Sequence, residues 1–243
     1  LTVSGVSATL KLVASTPKLR DLSFGAFAFG GLQSIFSGFF ILYLIDGLAF
    51  SEKDAGVLFA IASFSAVAAR ILWGWIGSTI LPARIALGLI GAFGALAAIL
   101  TGFYEPAWSH GAILAVAILY NVTGLSWHGL LLSEIAALAP AGRVGGVTGT
   151  VLSFTSVAMM TYPAIYGGIL AATDSYSLGF LFAAMPSALA AVIFFCPPVE
   201  HTWLRVVRAV MAWGMRPARL LYAAAIVLAG TAIGAVLALN ALY

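Results

Sequence analysis

The sequence predicts an all-α integral membrane protein, and three observations carry that reading. Seven apolar stretches, near residues 22–47, 55–79, 83–103, 109–136, 145–172, 175–196 and 218–241, fill most of the 243-residue chain. Each supplies the roughly 20 residues a helix needs to cross the hydrocarbon core of a bilayer. Hydrophobic residues make up 63% of the chain and charged residues 8%, a balance foreign to soluble folds. With the N-terminus in the cytoplasm, Lys11, Lys18, Arg20, Arg84, Arg143, Arg205, Arg208, Arg216 and Arg219 all fall inside, and Lys53 alone falls outside. That is the distribution the positive-inside rule asks for, and it predicts a C-terminus outside and a bacterial inner (plasma) membrane location.

Residues 1–21 read as a cytoplasmic lead-in, with Pro17, Lys18 and Arg20 anchoring the first helix at the inner headgroups. Residues 22–196 read as a six-helix bundle. Its first helix carries Gly25, Gly30, Gly31 and Gly38, and its third carries Gly88, Gly91 and Gly94. Small residues so placed let neighbouring backbones approach closely, so these are expected packing seams. Residues 197–217 place Trp203, Val206, Val207, Val210 and Trp213 on one side of a helix and Arg205 and Arg208 on another. This is the pattern of a basic amphipathic segment lying in the membrane interface, the alternative being an ordinary basic linker. Residues 218–243 supply an additional transmembrane helix, with Gly230 and Gly234 at the spacing of close helix association. The chain opens on Leu1 without a visible signal peptide, so it is expected to be processed or a piece of something longer. Cys196, the one cysteine, has no partner for an internal disulfide or a metal pair.

Arg70 is the basic residue well inside a span, and a charge there is costly enough to be a functional hypothesis by default. Its guanidinium suits a carboxylate or another anion in two-pronged geometry. The structural alternatives are snorkelling to the inner surface or pairing with Glu134. The fourth stretch contributes Tyr120, Asn121, Trp127 and His128. As one continuous helix it would put Asn121 and His128 on one face, and Tyr120, Trp127 and Glu134 on another. Asn121 and Tyr120 can orient a polar ligand, and His128 can carry a proton near neutral pH. Hydrogen bonding between helices is the structural alternative for all of them. Gln33 and Ser37 share a face of the first helix and are candidates to line the same cavity. Tyr162 precedes Pro163, which removes a backbone donor and bends a helix, as a kink or a gate.

Three segments give the first six spans a likeness to a known family. Arg70-Ile-Leu-Trp-Gly74-Trp-Ile-Gly-Ser78-Thr-Ile-Leu-Pro-Ala-Arg84 follows the second helix; Ser133-Glu134-Ile-Ala-Ala-Leu-Ala-Pro140-Ala-Gly142-Arg143-Val-Gly145 ends the fourth; and Gly145-Gly146-Val-Thr-Gly149 leads the fifth towards Pro163 and Gly167-Gly168. Over about residues 15–197 the chain resembles the C-terminal six-helix half of a major facilitator superfamily transporter. The resemblance implies gating or structural roles for Gly74, Ser78, Arg84, Glu134, Arg143 and Pro163. It also implies substrate contact by Arg70, whose place is similar to that of an anion-binding arginine in carboxylate and oxyanion carriers. Ser78 stands where the loop motif usually has its aspartate. Set against that family, these residues are expected to supply the second six-helix half without the first, followed by a seventh span.

Other functions find little support. The last span has no lysine for retinal, the histidines are not paired at matching depth for haem, and no protease arrangement is visible. No enzyme activity, cofactor or nucleic-acid partner is expected. The expected function is that of a secondary membrane transporter, or half of one, for a small anionic solute by alternating access. Its expected partners are the lipid bilayer and a second six-helix half or other membrane subunits. The alternative is a non-transporting subunit that uses a carrier-like scaffold to dock in a larger membrane complex.

Overall fold

A computed structural model describes residues 3–198, and among them the regular structure is helical throughout. The interfacial segment from residue 199 and the additional span at 218–241 lie outside the described residues. A short helix, α1 (Val3–Ser15), precedes α2 (Pro17–Leu42), which Pro17 opens from the first turn, where its missing N–H costs nothing. The lead-in is therefore helical, and the first span begins at Pro17, ahead of the apolar stretch. α2 ends in a π-helical turn, Tyr43–Gly47. Then follow α3 (Glu52–Thr79), α4 (Ala83–Gly102), α5 (His110–Gly124), α6 (His128–Leu138), α7 (Val144–Thr173) and α8 (Tyr176–Phe195). Ser51, Ser109 and Ser175 cap the starts of α3, α5 and α8 through their side-chain oxygens. Gly142, at φ 76°, supplies the left-handed turn into α7 that a residue with a Cβ would resist.

Among the described residues, six spans are long and apolar enough to cross a membrane: Pro17–Gly47, Glu52–Thr79, Ala83–Gly102, His110–Leu138, Val144–Thr173 and Tyr176–Phe195. Their principal packings are α2 on α7, α3 on α5, and α4 on α8. Exchanging spans one, two and three with four, five and six maps this pattern onto itself. That is the signature of an inverted three-plus-three repeat.

The small-residue seams are real contacts except at Gly38, where an added Cβ would meet nothing within 4 Å because that face of α2 has no neighbour there. At Gly91 the backbone of α8 comes so close that a Cβ would stand 3.0 Å from both Ala191 N and Ser187 O, and the Ser187 hydroxyl donates to the Gly91 carbonyl at 2.9 Å. Gly31 leaves room for the ring of Tyr162, and Gly25 for that of Phe194. Burial is uneven: 72% of the α4 span is covered by neighbours, against 28% for α3 and 22% for α7. The bundle thus leaves α3 and α7 largely bare, with Phe64, Ile71, Trp75 and Met160 among the exposed side chains.

The fourth span departs from the expected single helix. It is broken at Leu125–Trp127 into α5 and α6. The Ser126 hydroxyl donates to the Asn121 carbonyl at 3.0 Å and to the Ala66 carbonyl of α3 at 3.1 Å, tying the break both to the end of α5 and to α3. The backbone ladder steps from Ser126 N on Thr123 O to Leu131 N on Trp127 O. The seven-residue spacing therefore no longer assigns faces: Asn121 and His128, and likewise Tyr120 and Trp127, lie on opposite sides of the joint.

Candidate functional site

The break meets α3 through three side chain–backbone contacts, at Ala66, Arg70 and Trp73. These positions fall on one face of α3 because they are four and three residues apart. Ser126 reaches the Ala66 carbonyl, and the Trp73 indole N–H donates to Val122 O at 2.7 Å. The Arg70 guanidinium donates from Nε and Nη2 to Leu125 O, each at 3.4 Å. Leu125 lies near the middle of the His110–Leu138 span, so Arg70 turns towards the middle of that span instead of extending towards an end of the bundle. Its side chain is exposed on the bare side of α3. A Cβ added at Gly74 or Gly129 would meet nothing within 4 Å, so the space before it is open. Glu134 is not its partner: Arg70 bonds to Leu125 O, while Glu134 lines a cavity with Lys18 and Arg84.

His128 starts α6, half-buried, with its ring stacked on Trp127 at 3.8 Å between centroids. The Leu125 carbonyl and the Arg70 charge both lie near His128, yet its buried Nδ1 has no partner. Trp127 is fully buried, and its indole N–H is likewise unpartnered. The open amides at the start of α6 add partial positive charge to the same place.

The remaining candidates scatter. Tyr120 is a core residue: its hydroxyl donates to Leu32 O at 3.0 Å and its ring packs on Phe36. Asn121 is fully buried with its amide on Ala117 O at 2.8 Å, while its side-chain oxygen has no partner. Gln33 is half-buried with an unpartnered oxygen, and Ser37 is exposed. Tyr162 is buried with an unpartnered hydroxyl, and Pro163 sits inside an α7 that remains helical to Thr173. Exposed Ser78 turns its hydroxyl back to Trp75 O at 3.0 Å, and Arg143 lies exposed at the start of α7.

Arg84 belongs to a separate clamp at the opposite ends of α2, α4 and α8. Its guanidinium pairs with Asp21 at 2.8 Å, donates to the Ile193 and Cys196 carbonyls at 2.6 and 2.8 Å, and lies over the Phe194 ring. Burial pushes the Cys196 thiol pKa up, and the Arg84 charge pulls it partway back. Glu134 joins Lys18 and Arg84 around a cavity of about 80 Å³ beside this clamp. Sequence reasoning missed Asp21, Trp73 and Ser126. An acidic residue beside a run of basic ones was the available sign for Asp21; nothing local marked the other two.

No protein-family model matches the chain. It is 31% identical over 176 residues to the protein named "Probable nitrate/nitrite transporter NarK2" from Mycobacterium tuberculosis, in both strain CDC 1551 / Oshkosh and strain H37Rv. The alignment takes in 71% of this chain and 43% of that protein. It is also 37% identical over 83 residues to "MFS-type transporter opdF" of Penicillium oxalicum, covering 34% of this chain and 19% of the relative. The chain thus spans less than half the length of these curated relatives. By these relatives, the chain belongs to the major facilitator superfamily.

Proposed function

We propose that the chain is one six-helix half of a secondary transporter that moves a small oxyanion of the nitrate or nitrite kind by alternating access. A second six-helix bundle covers the bare faces of α3 and α7, and the N-terminus lies on the cytoplasmic side of the plasma membrane, as the basic residues imply. The observation that carries the reading is Arg70, a cation at mid-depth whose hydrogen-bonding partner is a single neutral carbonyl at long range. A guanidinium so placed keeps most of its donors for a planar anion. The open amides of α6 and the names of the relatives agree with that choice.

Nitrate and nitrite uptake tests the proposal, in cells without their own carriers that express this chain with a six-span partner. Arg70→Gln and Arg70→Lys should each abolish uptake while the protein still reaches the membrane folded. Full uptake by a folded Arg70→Gln variant refutes the assignment. Absence of uptake with every six-span partner favours the docking scaffold.

A further inference from the structure

Three contacts tie the broken span to α3, and they differ in kind. The Trp73 and Ser126 contacts are neutral and short, at 2.7 and 3.1 Å. Those from Arg70 to Leu125 O are long, at 3.4 Å, and come from the one charged donor of the set. A planar anion offers the guanidinium two parallel hydrogen bonds and a full negative charge, where the carbonyl offers one neutral oxygen at long range, so an arriving anion outcompetes the carbonyl. The carbonyl it leaves belongs to the residue where the helix is interrupted. From there the backbone ladder stays open until Leu131 N meets Trp127 O.

We propose that Arg70 is exchanged between the Leu125 carbonyl and the bound anion, and that this exchange releases the joint between α5 and α6. Trp73 and Ser126 keep α5 pinned to α3, so α6 is the part that swings. Anion occupancy is thereby converted into a change in the inner half of the fourth span. The proposal rests on the anion reading of Arg70. α6 is 11 residues long, about 16 Å of rise, so a kink change of about 20° would carry its inner end roughly 5 Å.

Spin labels on Ala137 of α6 and Ile80 after α3 read that swing by pulsed electron resonance, in a Cys196→Ser background. The assembly that carries out uptake is reconstituted in liposomes for this purpose. A second pair, on Ala60 of α3 and Ala112 of α5, reads the pinned segment. Sodium nitrate is the probe, sodium chloride the control, and nitrate binding is measured separately by isotope filtration. The Ala137–Ile80 distance should shift by roughly 5 Å with nitrate, while the Ala60–Ala112 distance stays put. Arg70→Ala should show the shifted distance without nitrate and no further response, with unchanged helix content by circular dichroism. Nitrate binding without a shift, or an Arg70→Ala variant that keeps the unshifted distance, overturns the exchange but leaves the anion reading standing. Absence of nitrate binding overturns both.

Discussion

Gly91→Ala should loosen the α4–α8 seam, and the structure sets the size of the effect. The new methyl would stand 3.0 Å from Ala191 N and Ser187 O and 3.2 Å from Ala191 Cα. All three are backbone atoms of the facing helix, so relief requires the helices to part by a few tenths of an ångström. Overpacking of this kind costs about 1–3 kcal/mol. The parting also stretches the buried Ser187–Gly91 hydrogen bond, at about 1 kcal/mol. Alanine recovers about 1 kcal/mol through its better helix propensity. The net loss is about 1–3 kcal/mol. Gly56→Ala in α3 is the control, because its methyl meets nothing within 4 Å and should be neutral or stabilising by up to about 1 kcal/mol. Reversible unfolding from bicelles with sodium dodecyl sulfate, followed by circular dichroism, compares both with the parent. A Gly91→Ala protein as stable as the parent, or one that gains as Gly56→Ala does, would refute the close approach at this seam.

Asp21→Ala should cost about 2–3 kcal/mol in the same assay, because it strips the carboxylate from a mostly buried ion pair, although the Ile193 and Cys196 carbonyls still hold Arg84. Asp21→Asn, which keeps a hydrogen-bond acceptor, should lose less. Cys196, 8% exposed and with its thiol pKa raised by burial, should react slowly with maleimide at neutral pH. Its rate should climb as pH rises above the ordinary thiol range, because only the thiolate attacks, and Asp21→Ala should speed it by opening the clamp. Ala49, exposed at φ 58° in the loop between α2 and α3, holds a left-handed conformation that glycine adopts freely. Ala49→Gly should therefore stabilise by about 0.5–1 kcal/mol, read as a higher midpoint of unfolding.

The six described spans were legible in the sequence because hydropathy is local: a run of apolar residues needs no knowledge of its neighbours to be expelled from water. The glycine seams were legible for a similar reason, since Gly88, Gly91 and Gly94 recur on one helix face whatever packs there. Arg70 stood out because a charge is rare at that depth. The break at Leu125–Trp127 left no such trace. No proline marks it, and the serine that stabilises it works by reaching a carbonyl on another helix, 60 residues away in the chain.

Alone, then, the order of residues determined that this chain crosses a membrane, roughly where its six described spans run and which cation sits within one of them. Tertiary structure decided the rest. It joined Asp21 to Arg84 across 63 residues, placed the Arg70 donors on a carbonyl at mid-depth, and left α3 and α7 bare. The reason lies in the range of the forces. Burial in lipid is assigned residue by residue, whereas a hydrogen bond or a bare face exists only once two distant helices have been set side by side.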